Sequence, residues 1–451
     1  MPGPPPYTQY TLTALTTEIS NLLADPTQKY WTVPEIQYAI QEGMYVWGAL
    51  TSYWRDSSPF NLTPNEGIYD LSVKLPALRT RSWTLGQMVA DIQYSILEAP
   101  NGILGTGMSG QTTVTAILNA INRARNRFIL DSVLPFTVTS MPVLLPPSTG
   151  VVTFANNIGY LHRAAWKDGP SGTWTNLWRQ DNYSADAGLY QWGTTTGTPR
   201  IFSESNLTPL ELQLIPPPAA AGILQTISVM STMLDLTKSG TTFNIPDEWI
   251  HAIKWGALSE LLSVDSLIAD PARAQYANTR YQQAVDFAKN SKSIIRLRFG
   301  NTPLMIDTFQ SIDAGVPMWR NQQGTPQMAG IMYDLVAIVP GSPQVAYTVT
   351  ADVVQSAPIP LIGTDDIDLG PEDIGHLIDY VVHILTFKCG GKEFASTYSR
   401  YNDFMDAVSF RGQINKARIQ YLKPTMEQPS MEEGERPDVY QLQSTKKGGG
   451  K

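Results

Sequence analysis

Apolar residues recur with helical spacing at the start of the chain and again from Thr84. In residues 11–23, leucines and isoleucines return every three or four positions, which is the period of a helix with one buried face. A second helix is predicted to begin at Thr32-Val-Pro-Glu35, where a capping-box pattern coincides with a proline in the first turn. The same plan is repeated in residues 84–130, so a helix–loop–helix–Pro–Phe–strand unit occurs twice.

The middle of the chain alternates short apolar runs with glycine, proline and asparagine, which predicts β-structure across residues 136–235. Two helices follow in residues 245–290, and the whole order then returns further along the chain. The paired motifs are Gly197-Thr-Pro199 and Gly324-Thr-Pro326, Pro246-Asp-Glu and Pro371-Glu-Asp, and Thr279-Arg-Tyr281 and Ser399-Arg-Tyr401. Residues 192–288 and 319–408 are therefore predicted to be two copies of one unit of strands followed by two helices.

These patterns predict an α+β fold in which helical bundle segments carry an inserted antiparallel β-sandwich-like domain, with the β/helix unit duplicated. The predicted parts are an N-terminal arm (1–10), an N-terminal helical pair with an extended segment (11–82), a core (83–300), a second β/helix unit (301–423) and a flexible tail (424–451). The core comprises helices in 84–130, the β-region 136–235 and helices in 245–290. The arm is proline-rich, and the tail is polar.

Composition narrows the class of protein. Hydrophobic residues make up 42% of the chain, which excludes global disorder, whereas charged residues make up only 16% and aromatics reach 10%, a balance that favours extensive protein–protein contact. The net charge of −8 makes the chain a poor general binder of nucleic-acid phosphates. It suits a passage through which DNA slides, although ordinary solubility explains it more simply. One cysteine, Cys389, rules out a disulfide within the chain and fits a reducing cytoplasm, and neither a secretory signal nor a membrane span is predicted.

Two clusters of polar residues are candidates for chemistry or binding. His376, Asp379 and His383 share one face of a predicted helix, opposite its apolar stripe, and could ligate zinc. Exposed polar positions or a subunit contact account for them more simply. Arg123 and Arg127 also share a helical face and could meet DNA phosphates, an acidic partner surface or solvent.

Aromatic residues are concentrated in the β-region, where Trp174 and Trp178 could stack on sugar rings or anchor packing contacts. Catalytic signatures are absent from the sequence: it contains no phosphate-binding glycine loop, no G-x-S-x-G elbow and no H-E-x-x-H motif. We therefore predict no enzymatic activity, no cofactor and no metal.

The segment from Thr84-Leu85 to Asp131-Ser-Val-Leu-Pro-Phe136, followed by Gly197-Thr-Pro-Arg-Ile-Phe202, Leu210-Glu-Leu-Gln-Leu-Ile-Pro-Pro217 and Ile245-Pro-Asp-Glu-Trp-Ile250, resembles the adaptor, or head-completion, proteins of tailed bacteriophages. The resemblance implies a ring of about twelve copies docked on the portal, extending the DNA channel and seating the tail. The chain is larger than that pattern, which leaves open a wider collar that also holds fibres.

The expected partners are copies of the same chain, the portal and tail or fibre proteins, in the neck of a virion assembled in the host cytoplasm. The expected interface residues are Pro4, Pro5, Pro6 and Tyr7 in the arm, Arg123, Arg127, His376 and His383 in helices, and Pro424 in the tail, together with the loop 101–110. The alternatives are a glycan-binding tail or fibre protein that uses the tryptophans and, less favoured, a glycan-cleaving enzyme.

Overall fold

The computed structural model describes residues 10–422 except for a set of gaps. The gaps are residues 64–65, 76–77, 79, 97–113, 133–137, 156–157, 170–171, 182–183, 185–192, 206–208, 231–234, 265–267, 291–293, 317, 333 and 342–344. The predicted interface residues Pro4 to Tyr7 and Pro424, and the loop 101–110, lie outside the described residues.

Helices flank two β-regions along the chain. They are α1 (Leu12–Leu22), α2 (Val33–Thr51), α3 (Leu71–Lys74), α4 (Leu85–Ser95), α5 (Val114–Ser132), α6 (Ile250–Ser263), α7 (Pro271–Asn290), α8 (Phe309–Gly315), α9 (Pro371–Thr386), α10 (Gly391–Ser396) and α11 (Tyr398–Leu422). Single turns of 3-10 helix lie at Asp247–Trp249, Trp319–Asn321 and Phe387–Cys389.

The strands are short and form four-stranded sheets. They are β1 (Arg55–Asn61), β2 (Ile68–Asp70), β3 (Val138–Leu145), β4 (Val151–Thr153), β5 (Ile158–Lys167), β6 (Trp174–Asn176), β7 (Trp178–Arg179), β8 (Ile201–Glu204), β9 (Glu211–Ile215), β10 (Gly222–Met230), β11 (Ile294–Phe299), β12 (Thr302–Pro303), β13 (Met305–Asp307), β14 (Met328–Met332), β15 (Leu335–Val339) and β16 (Thr348–Val354). The predicted mixed α+β class is confirmed.

Two β-sandwiches have the same strand order. The inner sandwich combines the sheets β3-β10-β5-β6 and β4-β9-β8-β7, and its core surrounds the fully buried Trp166. The outer sandwich combines β1-β16-β11-β12 and β2-β15-β14-β13. Pairing is antiparallel except between β7 and β8 and between β13 and β14, which are parallel at equivalent places. The prediction of an antiparallel sandwich is therefore corrected, since each sandwich contains one parallel pair of strands.

Backbone hydrogen bonds show that the two sandwiches also share their register. In the inner sandwich the Leu214 amide donates to the Gly150 carbonyl at 2.7 Å, and in the outer sandwich the Ile338 amide donates to the Gly67 carbonyl at 3.0 Å. The two bonds lie at equivalent places, where β4 meets β9 in the inner sandwich and where β2 meets β15 in the outer sandwich. Topology and register together indicate two copies of one fold.

The helices complete each copy in the same way. In the inner unit (residues 84–290), α5 packs against α6, and α6 against α7; in the outer unit (residues 11–75 and 294–422), α2 packs against α9, and α9 against α11. The predicted segments 11–82 and 301–423 thus share both outer sheets, because β1 and β2 pair with β16 and β15. The inner unit is inserted whole between α3 and β11.

The side-chain caps at the starts of α4 and α2 differ. Thr84 caps α4 in a capping box with Gln87. The capping box predicted at Thr32 and Glu35 is wrong, since the Thr32 side chain makes no capping bond and the Glu35 carboxylate pairs with Lys388 at 2.9 Å. Within the described ranges, no helix combines the length and the apolar character that crossing a bilayer requires.

Candidate functional site: the junction between the units and the exposed helix faces

A buried ion cluster joins the helices of the two units. Lys254, on α6 of the inner unit, lies 2.8 Å from Glu42 on α2 of the outer unit and 2.8 Å from Asp91 on α4. Its side chain is 3% exposed. The Trp255 indole N–H donates to Glu42 at 2.9 Å, and the Tyr380 hydroxyl donates to the same carboxylate at 2.8 Å. Glu42 therefore has its acceptor sites filled by groups from both units.

The two carboxylates of this cluster have opposite pKa shifts. Burial disfavours the charge of Glu42, but the attraction of Lys254 outweighs burial and lowers the pKa of Glu42 to about 2. Burial raises the pKa of Asp91, because the same lysine offsets it only in part and the charge of Glu42 adds to the cost. The neighbouring carboxylates raise the pKa of Lys254 despite its burial. The lysine is thus a fixed positive charge at the junction.

A buried arginine extends the junction. Arg280 of α7 donates to the Tyr380 hydroxyl at 2.7 Å and also to the Tyr401 hydroxyl. Its guanidinium lies 4.7 Å from the centre of the Tyr401 ring, within the range of a cation–π contact. Tyr401 in turn donates to Gln283 at 3.0 Å. Arg280 and Gln283 of the inner unit therefore bind the hydroxyls of two outer-unit tyrosines.

His383 lies inside this junction, so the expectation that it shares an exposed face with His376 and Asp379 is wrong. Its side chain is fully buried, with Nε2 hydrogen-bonded to the Tyr276 hydroxyl at 2.9 Å and Nδ1 to the Thr397 hydroxyl at 2.9 Å. Burial lowers the pKa of His383 to about 3. The physical reason is that other helices cover this face of α9. The His383 ring stacks 4.7 Å from Phe394 and 5.2 Å from Tyr401 of its own unit, and Tyr276 of the inner unit contacts it as well.

The sandwiches make a second contact between the units. Asp313 of α8 accepts hydrogen bonds from Arg163 at 2.7 Å and from Asn176 at 2.9 Å. The Asn321 side chain accepts from the Trp174 amide at 2.7 Å. Contacts at both the helical and the β end hold the two units in one fixed relation.

The described tryptophans of the Trp-rich region differ in their exposure. Trp166 is a core residue of the inner sandwich, and the ring of Trp174 is covered by the Arg320 guanidinium at 4.0 Å. Trp178 is 71% exposed. Trp192 lies outside the described residues. Trp174 and Trp178 therefore do not form a joint stacking platform.

The predicted helical arginines are exposed. Arg123 pairs with Glu260 and keeps 60% of its side chain exposed, and Arg127 pairs with Asp131 at 3.2 Å and keeps 50% exposed. Arg127 also stacks 4.5 Å from the centre of the Tyr281 ring. Arg125, which lies between them in the sequence, is buried.

His376 and Asp379 remain half-buried at the surface of α9. Asp379 pairs with Arg400 at 2.5 Å. Among the described residues, no three His, Cys, Asp or Glu side chains converge as ligands for a metal. The charged groups of the junction are occupied by one another, so what the arrangement can do chemically is fix two folded units together.

Sequence reasoning missed the junction residues Lys254, Glu42 and Asp91. A signal for one of them was available, because Lys254 is the only polar residue in the run 252–258, where a charge is expected to be buried. Its acidic partners carry no comparable signal, since each lies on a helix that has a polar side.

Comparison with known families identifies the inner unit. Residues 83–298, just under half of the chain, match the model of the SU10 adaptor protein. No curated protein matches the chain. The match covers the complete inner unit and ends within β11, where the chain returns to the outer sandwich. The inner unit of this chain therefore matches the SU10 adaptor protein family, a family of phage adaptor, or head–tail connector, proteins.

Proposed function

We propose that this protein is a structural subunit of a ring at the neck of a tailed phage, where it connects the portal vertex to the tail and extends the DNA channel. The observation that carries the proposal is the adaptor family match over a complete folded unit. The partners would be further copies of the chain, the portal protein and tail or fibre proteins. The site of action would be the neck of the virion.

The junction supports a mechanical role of this kind. A connector has to transmit force between the capsid vertex and the tail without its parts sliding. The buried Glu42–Lys254–Asp91 cluster and the Asp313 contacts hold the two units at opposite ends. Breaking such a buried pair leaves a desolvated charge, which makes relative movement of the units costly.

The overall charge supports passage of DNA. A net charge of −8 limits attraction to the phosphate backbone, so a channel lined by this chain would let DNA move without strong binding. The same charge suits solubility before assembly.

Portal binding tests the proposal. The purified chain is mixed with purified portal rings of the same phage, and the mixture is separated by sedimentation through a density gradient. We expect the chain to co-sediment with portal and to add a layer of density to the ring in electron micrographs. Portal from a phage with a different type of neck is the control. A chain that stays at the top of the gradient at micromolar concentration would contradict the proposal.

A further inference from the structure

The two units are related residue by residue, which allows their surfaces to be compared. Helices α2 and α5 both have 19 residues, and when they are aligned end to end, all the buried positions of α5 except Asn122 fall on buried positions of α2. In that alignment Trp47 corresponds to Phe128 and Thr51 to Ser132, all of them buried, and Glu42 corresponds to Arg123.

The other helices can be aligned in the same way. The N-caps Thr11 and Thr84 place Glu18 of α1 at the position of Asp91. This alignment is supported by the backbone, since the amides of the next residues, Leu12 and Leu85, both donate at 2.9 Å to the strand-like segment before the following helical pair. Aligning Pro246 with Pro371 places Asp379 of α9 at the position of Lys254.

The contact between the units is of the heterologous kind. At the buried ion cluster the outer unit contributes Glu42 from α2, whereas the inner unit contributes Asp91 from α4 and Lys254 from α6. The α5 helix, which corresponds to α2, stays exposed around Arg123 and Arg127. The α1 helix, which corresponds to α4, carries the half-buried Glu18. At the ion cluster each unit thus uses one face of a two-faced contact, and the described residues leave the other face uncovered. Heterologous contacts can be continued at both ends, and they close into rings when the rotation permits.

The uncovered faces are complementary in charge. Within the chain, an acid on α2 meets the Lys254 base of the next unit. On the uncovered faces the signs are exchanged, because α5 presents Arg123 where α2 has Glu42, and α9 presents Asp379 where α6 has Lys254. Each face also carries exposed apolar surface, with Leu130 55% exposed on α5 and Leu22 50% exposed on α1. Opposite charges around apolar contacts favour association and fix its register.

We infer that the α5 face of one chain binds the α1–α9 face of a second copy of this chain, repeating between chains the contact that joins the outer and inner units within one chain. This inference rests on the ring proposed above and specifies its interface. Each chain supplies two adaptor-like units, each of which occupies one place around the ring. The consequence is that a ring has twice as many adaptor-like places as it has chains.

Charge-reversal variants of the full-length chain test the interface. Arg123→Glu and Asp379→Arg each place like charges across the proposed contact, and we expect each to raise the concentration needed for assembly about tenfold or more. The double variant Arg123→Glu/Asp379→Arg restores the attraction between neighbouring chains, so it should assemble like the wild type. Arg200→Glu, an exposed arginine of the inner sandwich outside this face, is the matched control. Assembly is measured by mass photometry, against a chain mass of 49.7 kDa, and folding by circular dichroism.

The double variant distinguishes an interface from local damage. Both substitutions also face an intrachain partner, Glu260 or Arg400, and those local repulsions persist in the double variant. Damage within the chain would therefore add up, whereas a contact between chains would be rescued. Single variants that assemble like the wild type, or a double variant no better than the singles, would overturn the inference.

Counting chains and places separately gives a second readout. Mass gives the number of chains in a ring, and the rotational order of electron-microscopic class averages gives the number of adaptor-like places. We expect a ratio of two places per chain. Rings that bind portal but ignore the charge reversals would overturn this interface alone. A wild-type chain that stays monomeric with and without portal would overturn both the interface and the proposed function.

Discussion

Replacing Lys254 with methionine is expected to lower the free energy of unfolding by about 3–5 kcal/mol. Methionine keeps most of the side-chain volume but removes the positive charge that lies 2.8 Å from both Glu42 and Asp91. Two carboxylates would then be buried without a cation at the contact of the two units. Urea denaturation at pH 7, followed by tryptophan fluorescence, measures the loss.

The duplication of the fold supplies the control for this experiment. Asp379 occupies the position of Lys254 in the outer unit and forms a partly exposed pair with Arg400, so Asp379→Asn should cost about 1 kcal/mol or less. Adding Glu42→Gln and Asp91→Asn to Lys254→Met removes the buried charges and should return most of the lost stability. A Lys254→Met variant as stable as Asp379→Asn would show that the cluster does not hold the units together.

Acidification should narrow the stability difference between the wild type and a His383→Gln variant by about 1.4 kcal/mol per pH unit between pH 6 and pH 4. Burial lowers the pKa of His383 to about 3, from 6.5 in an unfolded chain. Below pH 6.5, His383 therefore binds a proton in the unfolded state but not in the folded state. The stability that His383 contributes is fully present above pH 6.5 and is lost as the pH falls towards 3. Glutamine does not titrate, so the variant lacks this loss.

Comparison with a variant is needed because other groups titrate in the opposite direction. Burial raises the pKa of Glu35 to about 7, so the folded state takes up this proton first and gains stability as the pH falls towards 4.5. That contribution is common to both proteins and cancels in the difference. If the difference in the free energy of unfolding between the wild type and His383→Gln stays constant from pH 7 to pH 4, the result would contradict a buried neutral histidine.

Sequence patterns revealed the repeats but not their nesting. Motif pairs such as Gly197-Thr-Pro199 with Gly324-Thr-Pro326 mark equivalent strands in the two sandwiches. The pairing of β1 with β16 joins residues nearly three hundred positions apart, and short strands such as β2 carry no information about their partner. The sequence patterns therefore predicted the outer unit as two separate segments, residues 11–82 and 301–423.

The candidate site shows the same limit. Arg123 and Arg127 were found as an exposed pair because helical spacing alone sets their common face. His383 was misplaced because its burial depends on aromatic residues of other helices, Phe394 and Tyr401 in its own unit and Tyr276 in the inner unit. Periodicity within one helix indicates which side carries the apolar stripe, but it does not show whether further helices cover the other side.

The most direct test of the connector role is a cryo-electron microscopic reconstruction of the neck of the virion that this chain belongs to, with symmetry released below the portal. The account predicts a ring directly beneath the portal into which the two joined units fit as one body, around an open channel on the axis. A neck density that this fold does not fit, or a chain located only in the fibres, would contradict it.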